Sequence, residues 1–510
     1  MRGGSGSEPE PSSSRTAFRT CPLCEAGCGL EITVKRSADG LEHVSRVRGD
    51  MDDVFSEGFI CPKGSTLRQL HDDPDRVRRP LVKRNGVHVE VEWSDAWAEV
   101  ERGLVGVIER HGRQAVGVYI GNPNAHNLAG MAFGRSVMQP IGTRNIFSAS
   151  TVDQMPRQVA AASTPNSEQL DAALSELEFM VSVDIYLNET TRHADVILPS
   201  PSALQKSHYD LLLLQFAVRN VANFSPPVLA LDDDQPDEWE ILAKLALIAQ
   251  GAGADADAAI VDDMMIRSLI ASLVRDEHSS VFGRDVEDLL VELSKDGRRG
   301  PDRMIGLAMQ TGPCGAAFGA GPVGGASLDL LLEHPHGVDF GALEPRLPEV
   351  VHTPSGMVEL DHPVLMSDLA RLSAAIADLT ERELVLIGRR HLRSNNSWMH
   401  NVAVLVKGTP RCTLQVHPDD AARFGLVDGG RARITSRVGT VDAPVEVTDA
   451  VRPGVVSLPH GWGHGQADTK MRVAAERAGT NSNVLTDHET MDPLSGTSVL
   501  NGIPVVVAAA

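Results

Sequence analysis

The chain has 510 residues, 42% hydrophobic and 23% charged, a composition that excludes a disordered or fibrous chain and points to several folded domains. Asp and Glu number 68 against 47 Lys and Arg, and the formal net charge of −21 argues against phosphate-backbone binding, so nucleic acid is not an expected partner. No apolar run reaches the roughly 18 to 20 residues that cross a bilayer, and the start lacks an apolar signal core, so the sequence predicts a cytoplasmic chain with no membrane span.

Residues 1–17 are rich in Gly, Ser, Pro and Glu and predict a disordered tail. Residues 18–78 carry four of the six cysteines, and apolar residues alternate with polar ones over 30–34 and 43–47, as in short antiparallel strands of a small metal-nucleated unit. Residues 79–228 predict a parallel α/β layer. There Ser94 caps an amphipathic helix over 94–110, a buried strand over 116–120 runs into Gly121-Asn122-Pro123, and a helix over 168–177 precedes strands at 179–183 and 194–198. Residues 229–378 read as an acidic, mostly helical connecting region. From 379 to 510, short Val-rich strands alternate with Gly, Pro and Asp turns and one helix at 419–424, which predicts a closed β-barrel. The fold class is α/β plus β-barrel.

Cys21-x2-Cys24-x3-Cys28, followed by Cys61-Pro62-Lys63-Gly64, supplies four thiolates with glycines that let the backbone wrap an inorganic core, as a [4Fe–4S] cluster requires. A structural zinc site also takes four cysteines, but more often as two C-x2-C knuckles. Gly319-x-Gly321-x-x-Gly324 has the dinucleotide fingerprint without the strand that must precede it. His460-Gly461-Trp462-Gly463-His464 lacks a third metal ligand nearby, and Cys314 and Cys412 read as small buried residues.

The cysteine motif, the segment Asn188-Glu189-Thr190-Thr191-Arg192-His193-Ala194-Asp195, Thr353-Pro354-Ser355-Gly356, His417-Pro418-Asp419-Asp420 and Asn481-Ser482-Asn483-Val484-Leu485-Thr486 together resemble the molybdopterin oxidoreductases of the formate dehydrogenase and nitrate reductase type, over about residues 18–507. The resemblance implies an N-terminal iron–sulfur domain, a parallel α/β nucleotide-binding domain and a C-terminal double-psi-type barrel. It also implies molybdenum or tungsten held by two pterin guanine dinucleotides (bis-molybdopterin guanine dinucleotide), with Lys63 between cluster and pterin on the electron path. Asp153 matches the position of the family's protein ligand to the metal; a helix cap over 154–162 is its ordinary alternative, as a solvated surface position is for Lys63. The implied dinucleotide contacts are Asn122, Arg393, Ser394, Asn396, Ser397 and Asn483, and Lys63, Arg389, Arg390 and Arg393 are expected to line one anionic-cofactor cavity.

Two departures stand beside this resemblance. Val152-Asp153-Gln154 replaces the thiolate and histidine of formate dehydrogenases, and a whole α/β domain of the family is missing at a junction near 161–163. Two readings stay open: an oxidoreductase that exchanges two electrons with a small-molecule substrate and allows an electron-transfer partner protein, or an inactive deletion variant that binds only the iron–sulfur cluster or acts by association.

Overall fold

The computed structural model describes residues 14–148, 166–212, 214–377, 384–494 and 496–510. The N-terminal unit is an antiparallel meander of β1 (Ser14–Thr20), β2 (Gly29–Arg36) and β3 (Glu42–Gly49). Leu30, Ile32 and Val34 on β2 face inward and are essentially inaccessible, whereas Glu31 and Thr33 alternate with them on the other face. β1 starts at Ser14, so the predicted tail of 1–17 is too long. Ser14 pairs with Lys35 and Ala17 with Ile32, and Arg15 reaches Glu42 across the sheet, so polar residues of low intrinsic order are held by their partner strand.

The region 79–228 is not the single parallel layer predicted. One sheet has the order β5–β4–β9–β8, built from β4 (Leu81–Arg84), β5 (Val87–Glu90), β8 (Val181–Val183) and β9 (Val196–Leu198). Only β8 and β9 are parallel in it; β4 is antiparallel to both of its neighbours. The parallel pair β6 (Val118–Ile120) and β7 (Ile146–Ser148) stands apart as a sheet of its own. The β4–β5 hairpin turns on Asn85-Gly86, both at positive φ, a strong hairpin signal that the sequence reading passed over. The helix predicted at 94–110 begins at Trp93, with Glu92 rather than Ser94 as its cap, and passes through a π-turn at Glu101–Val105 to end at His111.

Helices Glu238–Gln250, Ala259–Leu273, Val286–Leu293 and Pro301–Thr311 form the connecting region. The first starts on a capping box, with Asp237 and Glu240 satisfying each other's backbone N–H groups. This region also contains a strand: β10 (Arg219–Ala222) pairs antiparallel with β11 (Val338–Ala342). The helix Pro301–Thr311 and a turn precede Gly319, so the fingerprint-like glycines lack the strand that phosphate binding needs.

The C-terminal strands are β12 (Leu384–Arg389), β13 (Leu414–Val416), β14 (Arg431–Thr435), β15 (Thr440–Val447), β16 (Val455–Pro459) and β17 (Ile503–Ala509). They close in the order β12–β16–β13–β15–β14–β17, with β12 parallel to β16 and β13 parallel to β15. Leu414, Val416, Ala432, Ile434, Val456 and Leu458 fill the interior. The barrel is tied to the N-terminal unit: Asp73 accepts from Tyr186 Oη at 2.6 Å and Asn401 Nδ2 at 2.8 Å, and Asp75 holds Arg472 at 2.6 Å.

Candidate cofactor site

Cys21 follows β1 and Cys28 precedes β2, so the hairpin register fixes both, and Cys21 N–H donates to Cys28 O at 2.8 Å. Gly27 turns this loop with φ of +58°, and any Cβ on Gly29 would fall 2.4 Å from Asp53 Cγ, so the tight wrap needs both glycines. Cys61 arrives from the loop after β3. Gly64, three residues on, packs so closely that a Cβ there would meet Cys21 Sγ at 3.5 Å.

All four cysteines and Lys63 line one cavity of about 190 Å³, together with Phe59 and Leu392. Burial and the neighbouring thiols push Cys21 up to about 12 and Cys28 up to about 11, so both are protonated at neutral pH unless a bound cation takes the thiolates. No three of these sulfurs lie within 4.8 Å of one another, although Asp50, Asp52 and His336 do present ligand atoms at that spacing. Four thiolates around one zinc at about 2.3 Å would stand roughly 3.8 Å apart. The spacing of the four cysteines is thus wider than a closed zinc site has, in keeping with a larger iron–sulfur core.

The barrel loop 389–401 reaches this cavity. Asn395 Nδ2 donates to Leu23 O at 2.7 Å, and Leu392 contributes a wall. The expected single basic cavity does not form. Arg389 turns into the end of the barrel, donating to Ser457 O at 2.6 Å and Thr413 O at 2.8 Å, because three strand-end carbonyls offer it acceptors there. Arg393 and Ser394 border a separate groove of about 10 Å³ with His391, His400, Arg411 and Trp462. A groove of that size holds no dinucleotide as it stands.

Asn396, at φ +49°, meets His460 Nε2 through its Oδ1 at 3.0 Å, and the exposed Ser397 carbonyl accepts from His400 N. Asn483 N–H is capped by Asn481 Oδ1, and the turn docks the helix Ser167–Ser175 through Asn481 Nδ2 to Ser167 Oγ at 3.0 Å. Asn122 opens the short turn Asn122–His126 after β6, well separated in sequence from the barrel loops. Asp153 lies outside the described residues. Cys412 is buried as expected; Cys314 is exposed, since it sits in the turn after the helix Pro301–Thr311 rather than in its packed face.

Sequence reading missed a buried relay beside the groove. Glu189 meets His464 Nδ1 at 3.1 Å, His464 Nε2 meets His400 Nδ1 at 2.9 Å, and His400 stacks on Trp462 with centroids 4.1 Å apart. Burial lowers His400 to about 3 and keeps it neutral, and its Nε2 finds no hydrogen-bond partner of good geometry among the described residues. The signal was present in the paired histidines at 460 and 464, but their partner is 64 residues away in the chain.

Two family models match this chain at its two ends: a molybdopterin oxidoreductase Fe4S4 domain over residues 19–73, and a molydopterin dinucleotide binding domain over residues 384–504. The chain thus carries two domains characteristic of the molybdopterin oxidoreductases. Its two cofactor modules are thus an iron–sulfur domain and a dinucleotide-binding barrel, and the cofactors they imply are a [4Fe–4S] cluster and molybdenum with bis-molybdopterin guanine dinucleotide. Among similar curated proteins, a nitrate reductase of Symbiobacterium thermophilum is 30% identical over 22% of this chain and 14% of its own length. A putative formate dehydrogenase of Staphylococcus aureus (strain USA300) is 24% identical over 35% of this chain and 18% of its own. The matched stretches are thus less than a fifth of these relatives. The structure of acetylene hydratase from Pelobacter acetylenicus aligns over 97% of this chain and 100% of that one at a TM-score of 0.62, with 12% identity, which establishes a shared fold. Among the described residues, no helix of this chain is long and apolar enough to cross a membrane.

Proposed function

We propose that this chain is an electron-transferring oxidoreductase that holds a [4Fe–4S] cluster on Cys21, Cys24, Cys28 and Cys61 and works on a small-molecule substrate in the cytoplasm. The observation that carries the reading is the convergence of the four cysteines and Lys63 on one cavity that the dinucleotide-binding barrel itself helps to wall through Leu392. When bound, molybdenum supplies two-electron chemistry and the cluster passes those electrons singly to or from a partner. This chain's own residues bind and insulate: the cysteines hold the core, and Phe59, Ile60 and Leu392 surround it with apolar groups. The Lys63 ammonium gives the same cavity a cation, consistent with a place on the electron path. Asp153 is the proposed metal ligand, with nitrate-like oxo-anions or formate as candidate substrates.

A second reading has support of its own. The sheet β6–β7 is detached from the four-stranded sheet, as removal of a domain near 161–163 would leave it. A chain in that state would carry the cluster alone. Anaerobic purification followed by iron, sulfide, molybdenum and tungsten analysis decides between them. The first reading expects all of iron, sulfide and one of the heavier metals, and binding of that metal lost in Asp153→Ala. Iron and sulfide without molybdenum or tungsten establishes the second, and zinc in place of iron overturns both.

A further inference from the structure

Apart from the four cysteines, one mixed set of metal-binding side chains comes together among the described residues. β3 ends at Gly49 and runs into Asp50-Met51-Asp52, while His336 arrives from the loop before β11, 286 residues further along the chain than Asp50. Asp50 Oδ2 lies 2.8 Å from His336 Nδ1, and one ligand atom from each of Asp50, Asp52 and His336 falls within 4.8 Å of the other two. The set is held from several sides. Val54 N–H donates to His336 O at 3.1 Å, the imidazole packs on the Phe18 ring with centroids 4.3 Å apart, and Asp50 N–H donates to Gly29 O at 3.0 Å. The Asp50 side chain is only 3% exposed, whereas Asp52 is exposed and His336 partly so, which opens the set to solvent on one side.

Two carboxylates at this spacing repel one another, and a buried carboxylate needs a cationic partner or a metal. Among the described residues no lysine or arginine pairs with Asp50 or Asp52, and the one ion-pair partner of Asp50 is His336. At most one of the two negative charges is thereby offset. Hard carboxylate oxygens beside an imidazole nitrogen suit a divalent first-row cation, with water completing its coordination, and the buried Asp50 and the imidazole brought from a distant segment set this group apart from an acidic surface patch. We propose that Asp50, Asp52 and His336 form a second metal site, which takes a divalent cation of the manganese kind and ties the loop behind the cysteines to the connecting region. The loop is well placed for this. Its Asp50 and Ser56 hold both backbone groups of Gly29, the residue after Cys28, and its Val54 is bonded to His336 beside β11. The site stands on its own residues and does not depend on what the four cysteines bind.

The test is a titration of the full chain with Mn²⁺, followed through the EPR signal of the free ion, on wild type, Asp52→Ala and His336→Gln. Mn²⁺ is chosen because it prefers oxygen and nitrogen donors to thiolates, so the cysteines do not compete for it. Wild type should take up one Mn²⁺ per chain, and each variant should bind it more than about tenfold more weakly, since losing even an outer-shell partner costs that much. Hydrogen exchange should slow on adding Mn²⁺ in the peptides covering 50–56 and 334–342 of wild type and stay unchanged in Asp52→Ala. A wild type that leaves all the Mn²⁺ in solution, or a variant that retains it with wild-type affinity, overturns the proposal. Should His336→Gln not fold, Asp52→Ala decides alone, because Asp52 is exposed and its side chain can be removed without opening the core.

Discussion

The C-terminal barrel and the α/β region solve the same problem, protecting strand edges, with opposite success. The barrel closes on itself, so each of its six strands has two neighbours, and its interior residues are almost wholly inaccessible. The α/β region has two separate sheets, and in the smaller one β6 and β7 are three residues each, partly exposed, with Tyr119 about half exposed. Closure makes a barrel independent of what lies around it, whereas a parallel layer needs cover on both faces. The dinucleotide-binding module is thus a self-sufficient scaffold. The α/β region has no such closure, and its two sheets depend on the helices and loops packed around them.

The comparison extends to the N-terminal unit, whose core includes Cys21 and Cys28, and removal of a metal ligand should produce the largest effect. Cys61→Ser is expected to lose most of its iron and to leave β1–β3 open to protease, with barrel peptides still protected from hydrogen exchange. Equal loss of protection in both would show that the barrel is not self-sufficient. Next in size, Leu414→Ala inside the barrel should cost about 2–5 kcal/mol, while Ile120→Ala in the two-stranded sheet should cost under about 1 kcal/mol, because one site leaves a cavity and the other is already half open. Guanidinium unfolding followed by peptide-resolved exchange measures both.

The joint between the regions comes third. Tyr186→Phe removes one of the donors to the buried Asp73 carboxylate, and the expected loss is about 1–3 kcal/mol, read as a lower unfolding midpoint. Tyr186 itself is pushed far above its ordinary range by burial and by that hydrogen bond, so this effect should not vary between pH 6 and 8. The smallest effect is a pH dependence. His400 titrates near 3 in the folded chain and near 6.5 when unfolded, so the unfolded state binds the extra proton between those values. Its contribution is complete above pH 6.5 and is lost as pH falls, at up to about 1.4 kcal/mol per pH unit. His400→Gln should flatten the fall of the melting temperature between pH 6.5 and 4 relative to wild type; an unchanged slope would show that another group governs it.

What the sequence determined by itself was local. Four cysteines with their glycines specify a cluster loop because ligand spacing and positive φ are written in adjacent residues, and the barrel strands were legible because their apolar alternation and turn residues recur at short intervals. Chain proximity also made loop 389–401 recognisable as a polar, cationic loop. Tertiary structure decided the rest. It turned Arg389 toward strand-end carbonyls and sent Arg393 to a different groove from Lys63, since a guanidinium goes to whichever acceptors the folded backbone leaves unpaired. It split the α/β layer, because β4 takes an antiparallel place beside β9 that no local pattern in 79–228 announces. It also joined Glu189, His464 and His400 into one relay and enclosed Arg19 against the Ala203 carbonyl. Those pairings join residues tens or hundreds of positions apart, and they form only once the chain has closed around them and water no longer competes for their hydrogen bonds.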